Sequence, residues 1–274
     1  MAIRYRLILS YDGTGTIGWQ KQRGQADSSG KPSIQRTLED TISEMTAEAV
    51  SVVGSGRTDA GVHAVAQVAH FDLVKKEWDP SVLLKGLNTA LPSFVKISNV
   101  QVAHEKFHAQ RDAIKKQYLY LIQQGPSSFP HLDRYSWWLR NSLDVKSMGR
   151  ALSRLEGEHD FKVFQAAGAV AGHTVRKIFS TSVEFTPSVN FPLGLGNSGC
   201  EDALFSNEFG MISIRLNGSG FLKQMVRSIV GSLIEVGDGR KPESHLLDLV
   251  LSGNRSQVGA TAKSRGLWLE RVWY

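Results

Sequence analysis

Across residues 4–10 the apolar side chains Tyr5, Leu7 and Leu9 recur at every second position, which predicts a half-buried strand. The chain then enters Tyr11-Asp12-Gly13-Thr14-Gly15-Thr16-Ile17-Gly18-Trp19-Gln20, a glycine-rich turn, and a polar, flexible stretch over 23–31. After Ser33 the period changes. Ile34, Leu38, Ile42 and Met45 share one helical face, and Ser33 is placed as the N-cap. Residues 50–53 and 67–73 read as strands. Asp79-Pro80 predicts a helix start, Val82, Leu83, Leu87 and Leu91 its apolar stripe, and Pro92 its end. Residues 94–102 and 116–123 are further strands, the second with Tyr118, Tyr120 and Ile122 on one face.

The second half uses the same vocabulary. Val145, Met148, Leu152 and Leu155 predict a helix stopped by Gly157, and residues 176–185 a strand. Residues 186–210 are rich in Pro, Gly and Asn and read as a long loop carrying Cys200. A strand over 211–216, helices over 221–236 and 242–251, and a closing strand over 267–274 follow. Strands and helices alternate without regular βαβ spacing, so the expected class is α+β. No internal sequence repeat is present. A length of 274 residues suits two domains or one large one. The expected boundary lies near residues 103–110, which gives halves of 1–105 and 106–274.

Charge narrows the partner. Lys and Arg total 32 against 26 Asp and Glu, a net charge of +6, the balance of a protein with a polyanionic partner. No apolar run approaches the roughly 18–20 residues that cross a bilayer. The N-terminus lacks a signal-peptide pattern, and the single Cys200 excludes an internal disulfide, so a cytoplasmic location without membrane attachment is expected.

The chemistry concentrates in Gly56-Arg57-Thr58-Asp59-Ala60-Gly61-Val62-His63-Ala64. Asp59 stands between a cation and small residues in a stretch too glycine-rich for a helix, as a loop presenting one carboxylate to a bulky ligand would require. The same residues also fit a plain turn with a local ion pair. The 221–236 helix is apolar over most of its circumference yet carries Lys223 and Arg227, four apart. A cation on a buried helix needs a partner, because desolvating an unpaired charge costs several kcal/mol. Asp59, a phosphate, Glu235 and Glu270 are all candidates for Arg227. Tyr118 is either a core aromatic or a side chain that meets a base and moves a proton. His63, His70, His104 and His108 lack metal-ligand spacing, and neither a P-loop nor Gly-x-Ser-x-Gly occurs.

Taken in order, these motifs resemble the bacterial tRNA pseudouridine synthase A family over essentially the whole chain. The matching pieces begin with Tyr11-Asp12-Gly13-Thr14 through Gly18-Trp19-Gln20 to Ser33-Ile34-Gln35, followed by the Asp59 loop and residues 67–72. Leu87-Asn88, Leu91-Pro92, Phe107-His108-Ala109 and Tyr118-Leu119-Tyr120 come next. Gly157-Glu158-His159-Asp160-Phe161, Thr174-Val175-Arg176-Lys177-Ile178, Gly220-Phe221-Leu222 with Met225-Val226-Arg227, and Gly266-Leu267 complete the set.

The resemblance implies an α+β pseudouridine synthase fold of two similar halves around a mixed, mainly antiparallel sheet with a central cleft. It implies a homodimer converting uridine to pseudouridine in the anticodon stem-loop of tRNA, positions 38–40, with no cofactor or metal. On this match Asp59 is the essential aspartate and Tyr118 packs on the target base and accepts the C5 proton. Arg57 extrudes the nucleotide and Arg227 pairs with Asp59. His63 and Lys223 join Arg57 and Tyr118 as expected substrate contacts. Two positions depart from the family pattern. Gln110 stands where Arg is usual, and Asp112 where Ser is usual.

Overall fold

The computed structural model describes residues 2–21, 30–166, 168, 172–187 and 210–274. The expected loop at 186–210, with Cys200, and the polar stretch at 23–31 lie outside these residues apart from their ends. In chain order the strands are β1 (Ile3–Tyr11), β2 (Val53–Gly54), β3 (His63–Leu73), β4 (Val95–Val102), β5 (Lys115–Gln124), β6 (Trp137–Leu139), β7 (Gly157–Asp160), β8 (Val175–Pro187), β9 (Gly210–Gly218) and β10 (Leu267–Trp273). The α-helices are α1 (Ile34–Thr46), α2 (Pro80–Ala90), α3 (Val145–Ser153), α4 (Met225–Gly237) and α5 (His245–Ser252). The class is α+β. Two compact units form, residues 1–116 with 268–274 and residues 117–267. The expected boundary near 103–110 falls a few residues before the division, and the C-terminal strand belongs with the first unit.

In the first unit the strand order is β4-β1-β3-β10, with β2 on β3. β1 runs antiparallel to both neighbours, Leu7 facing Ala69 of β3 and Val100 of β4. β10 joins β3 in parallel, Trp268 beside His63 and Leu269 beside Ala64. The alternation in β1 puts Tyr5, Leu7 and Leu9 wholly in the core. Ser33 caps α1 by accepting from the Arg36 N–H, and Ile34, Leu38 and Ile42 are buried beneath it. Asp79 caps α2, with Pro80 in its first turn. Leu83 and Leu87 are buried, but Val82 is half exposed and lies off the stripe. The helix stops at Leu91, which turns extended before Pro92.

The strand expected over 50–53 is only Val53–Gly54. Helix side chains take the missing ladder's place: Glu39 accepts from the Val52 N–H at 3.0 Å, and Gln35 Nε2 donates to the Val52 carbonyl at 3.0 Å. β3 begins at His63, four residues earlier than the strand read from sequence.

In the second unit the order is β5-β9-β8-β7, with β6 parallel to β5. β8 and β9 pair antiparallel as far as Pro187 opposite Gly210, so both strands run into the ends of the segment expected to be loop. Asp144 caps α3. α3 ends at Ser153, short of Leu155 and of the Gly157 stop expected from sequence, and Gly157, at φ 108°, opens β7, a strand not expected from sequence. α4 starts at Met225 rather than Phe221, because Gln224 takes a left-handed conformation at φ 61°. Nearly every α4 residue is buried, including Ser228, Gly231 and Ser232. A Cβ on Gly231 would fall 1.9 Å from the Ala260 carbonyl oxygen, so only glycine allows that approach.

Candidate active site

The loop from Gly54 to Val62 is built in the first unit by two segments that press together. Gly18 sits at φ 91°, and a Cβ there would lie 2.4 Å from the Thr58 carbonyl oxygen. A Cβ on Gly13 would lie 2.1 Å from the Val62 carbonyl oxygen. The glycine-rich turn after β1 is therefore the bed of the Asp59 loop, and its glycines let two backbones touch. The Trp19 N–H donates to the Thr58 carbonyl at 3.1 Å, while the Val62 N–H closes a tight turn on the Asp59 carbonyl at 3.1 Å.

Burial then alternates along the loop. Arg57 is exposed, Thr58 buried, Asp59 half-buried and Ala60 exposed, while Val62 and His63 are buried. The loop is gripped at Thr58 and His63 and offers Arg57 and Asp59 outward. The Thr58 hydroxyl lies 2.8 Å from the Tyr11 hydroxyl. Burial pushes the Tyr11 phenol up to about 12, partly offset by its hydrogen bonds to Thr58 and Gln67, so it stays a neutral hydroxyl at ordinary pH.

His63 has no exposed surface, which does not suit the direct substrate contact expected of it. Its Nδ1 accepts from the Gly13 N–H at 3.0 Å and lies 3.2 Å from Asp12 Oδ1. Its ring stacks on Trp268 of β10, centroids 4.3 Å apart. His63 is thus a strut between the glycine-rich turn and the C-terminal strand. Lys116 donates its ammonium to the Ser55 carbonyl at the loop base.

In the second unit, Tyr118 on β5 is 8% exposed and meets the Phe221 ring edge-on, centroids 5.1 Å apart. Lys223, just before α4, is exposed, and its carbonyl accepts from the Ala166 N–H at 2.9 Å. Arg227 in the first turn of α4 is half-buried, and its Nε donates to the Ala262 carbonyl at 2.8 Å. Of the acids considered for it, Glu235 lies within ion-pair reach of Arg240 and His245. Arg57, Asp59 and His63 therefore come together in one unit, and Tyr118, Lys223 and Arg227 belong to the other.

Of the two departures from the family pattern, Asp112 has a local role, while nothing in the structure explains Gln110. The Gln110 and Arg111 N–H groups both donate to His108 Nδ1 at 3.2 Å, and Asp112 Oδ2 accepts from the His108 N–H at 2.8 Å. Asp112 closes this turn. Among the described residues no group of three or more His, Cys, Asp or Glu is placed to hold a metal ion, and no helix is long and apolar enough to cross a membrane.

Sequence reasoning missed the groups that hold the loop. Tyr11, Thr58, Gln67 and Trp268 carry it, yet each reads in sequence as an ordinary strand or turn residue. For Tyr11, Thr58 and Gln67 the only signal was membership of the ordered motifs, and Trp268 lay just beyond the last of them.

The family model described as tRNA pseudouridine synthase matches residues 7–110 and 151–274. A protein of Syntrophotalea carbinolica named tRNA pseudouridine synthase A is 36% identical over 98% of this chain and 95% of its own length. A Bacillus cereus protein named tRNA pseudouridine synthase A 2 is 36% identical over 98% of each chain. A Bdellovibrio bacteriovorus protein named tRNA pseudouridine synthase A is 33% identical over all of this chain and 96% of its own. With these matches running from the glycine-rich turn through the Asp59 loop to the last strand, the chain belongs to the tRNA pseudouridine synthase family.

Proposed function

We propose that this protein isomerises uridine to pseudouridine in the anticodon stem-loop of tRNA, at positions 38–40, with Asp59 as the essential carboxylate. The observation that carries this reading is the loop itself: a half-buried carboxylate beside an exposed Arg57, on a backbone held from below. The reaction breaks the N1–C1′ bond, turns the uracil and forms C5–C1′. One proton leaves C5 and N1 gains one, so no redox partner is required.

The target base must leave its stack, at a cost of a few kcal/mol that falls near a loop. Arg57 is long, planar and always cationic, suited to filling the vacated gap and holding phosphate. Asp59 either attacks the ribose or removes a proton from it to give a glycal-like intermediate. Both routes need an ionised carboxylate. Arg227 is the cation proposed to maintain it, with its guanidinium tethered by the Ala262 carbonyl. Tyr118, braced by Phe221, packs on the uracil and receives the C5 proton. Lys223, exposed beside α4, contacts phosphate, whereas His63 serves substrate binding only through the loop it supports. The enzyme is proposed to act as a cytoplasmic homodimer.

The test is incubation with unmodified tRNA transcripts, mapping pseudouridine by chemical labelling, with Asp59→Asn in parallel. Pseudouridine in the anticodon arm, absent with the variant, is the expected result. Binding without pseudouridine would make the protein an RNA-binding module instead.

A further inference from the structure

Gln67 lies in the middle of β3, has no exposed surface, and uses both ends of its carboxamide on the Asp59 loop. Its Oε1 accepts from the Ser55 hydroxyl at 2.6 Å. Its Nε2 donates to the Gly56 carbonyl at 2.9 Å and reaches the Tyr11 hydroxyl at 3.5 Å. That hydroxyl in turn meets the Thr58 side chain at 2.8 Å. The donors and acceptors fix one direction. The Ser55 hydroxyl must donate to the carboxamide oxygen, since the Gly56 carbonyl only accepts and so demands the amide nitrogen. The Tyr11 hydroxyl accepts from Gln67 and shares a hydrogen bond with the Thr58 hydroxyl. One side chain thereby reaches three points of the loop: the Ser55 hydroxyl, the Gly56 carbonyl and, through Tyr11, the Thr58 hydroxyl. The Ser55 N–H adds a bond to the Val68 carbonyl at 2.7 Å, and Lys116 holds the Ser55 carbonyl. The next residue after this belt is Asp59.

We infer that Gln67 is the positioning residue of the Asp59 carboxylate, acting through a buried relay of Ser55, Gly56, Tyr11 and Thr58. This rests on the reading of Asp59 as the essential group. The relay touches no substrate. It decides where the carboxylate stands when the ribose arrives. A displacement of about 1 Å at a reacting group costs on the order of a hundredfold in rate. Losing the relay is therefore expected in kcat and not in tRNA affinity.

Three variants test this beside Asp59→Asn: Gln67→Met, which keeps the shape and removes every bond; Gln67→Glu, which keeps the acceptor and removes the donors; and Tyr11→Phe, which removes the hydroxyl that links Gln67 to Thr58 and leaves the Ser55 and Gly56 bonds. Single-turnover rate, tRNA Kd and melting temperature are measured for each. For Gln67→Met the expected rate loss is about tenfold to a hundredfold, with Kd within about twofold. Tyr11→Phe is expected to lose less, in the same direction. Gln67→Glu supplies the readout a merely structural role would not move. Its carboxyl faces the Gly56 carbonyl oxygen, so a proton taken up at lower pH restores one donor. Its rate relative to wild type should therefore climb as pH falls from about 8 to 6.

Wild-type rates in all three variants would overturn the inference, as would a loss of rate matched by an equal loss of tRNA affinity. Retained turnover in Asp59→Asn would sink the underlying reading instead. An inactive Asp59→Asn with normal Gln67 variants would remove only the relay. If Gln67→Met fails to fold, Tyr11→Phe decides, because it deletes one oxygen and leaves the ring's packing in place.

Discussion

The Asp59 loop and helix α4 each carry a charged residue assigned to the proposed chemistry, and the two are held by opposite means. α4 is fixed by shape: Ile229, Val230 and Leu233 have no exposed surface, and Gly231 lets the Ala260 backbone lie against the helix. The loop has no helix or ladder over most of its length. It is fixed by hydrogen bonds from buried polar side chains, with glycines where backbones touch. Apolar packing tolerates small adjustments of many atoms at once. A hydrogen-bonded clamp of few bonds is directional, and each bond it loses leaves a buried group unsatisfied. The loop is the region where small chemical changes should alter activity before stability. In α4 the order should be reversed.

The sharpest break of this contrast is Asp59→Asn, expected to lower turnover at least about a thousandfold while melting temperature and tRNA binding stay near wild type. Residual activity within tenfold of wild type would refute the role. Next is Gly231→Ala, whose methyl would collide with the Ala260 carbonyl at 1.9 Å. It is expected to cost about 3 kcal/mol in chemical denaturation, with tRNA turnover per folded molecule preserved. An undiminished unfolding midpoint would show that α4 is less tightly packed than described.

Gly18→Ala is the counterpart in the loop's bed, where φ is 91° and a Cβ meets the Thr58 carbonyl at 2.4 Å. Its expected signature is a drop in kcat on the order of tenfold or more, larger relative to its stability loss than for Gly231→Ala. Equal ratios in the two variants would erase the distinction between clamp and packing.

The smallest effect concerns His70 of β3. Burial, Arg4 and His108 hold its imidazole down to about 4 from an ordinary 6.5, while Asp72 and Asp112 oppose them weakly. Its Nδ1 accepts from the Ala109 N–H at 3.1 Å, a bond the protonated ring forfeits. Between about 4 and 6.5 the unfolded chain binds a proton that the folded one does not, so stability should fall as pH drops through this window. His70→Gln is expected to flatten that part of the stability–pH curve, and an unchanged slope would count against the assignment.

Sequence pattern revealed what depends on near neighbours. The period-two run in β1, the Ser33 cap and the Asp79-Pro80 start each involve residues within a turn or two, and each formed as read. β6 and β7 escaped because three- and four-residue strands, one of them Gly157-Glu158-His159-Asp160, show no apolar period. The early start assigned to α4 failed because nothing in Gln224 announces a left-handed backbone. In the candidate site, charge and glycine content marked Arg57 and Asp59. The clamp stayed hidden because Tyr11 and Thr58 are 47 residues apart and Tyr11 and Gln67 are 56 apart. Pairing over such distances is settled by the folded sheet and leaves no local trace.

One strand gives the order of synthesis a meaning. Residues 268–274 belong to the first unit, and Trp268 is the stacking floor beneath His63. On a ribosome the Asp59 loop emerges early, but its floor arrives only after the whole of residues 117–267 has been translated. Closing so distant a pair also makes it a late event in folding. A half-made chain thus carries the carboxylate without its mounting.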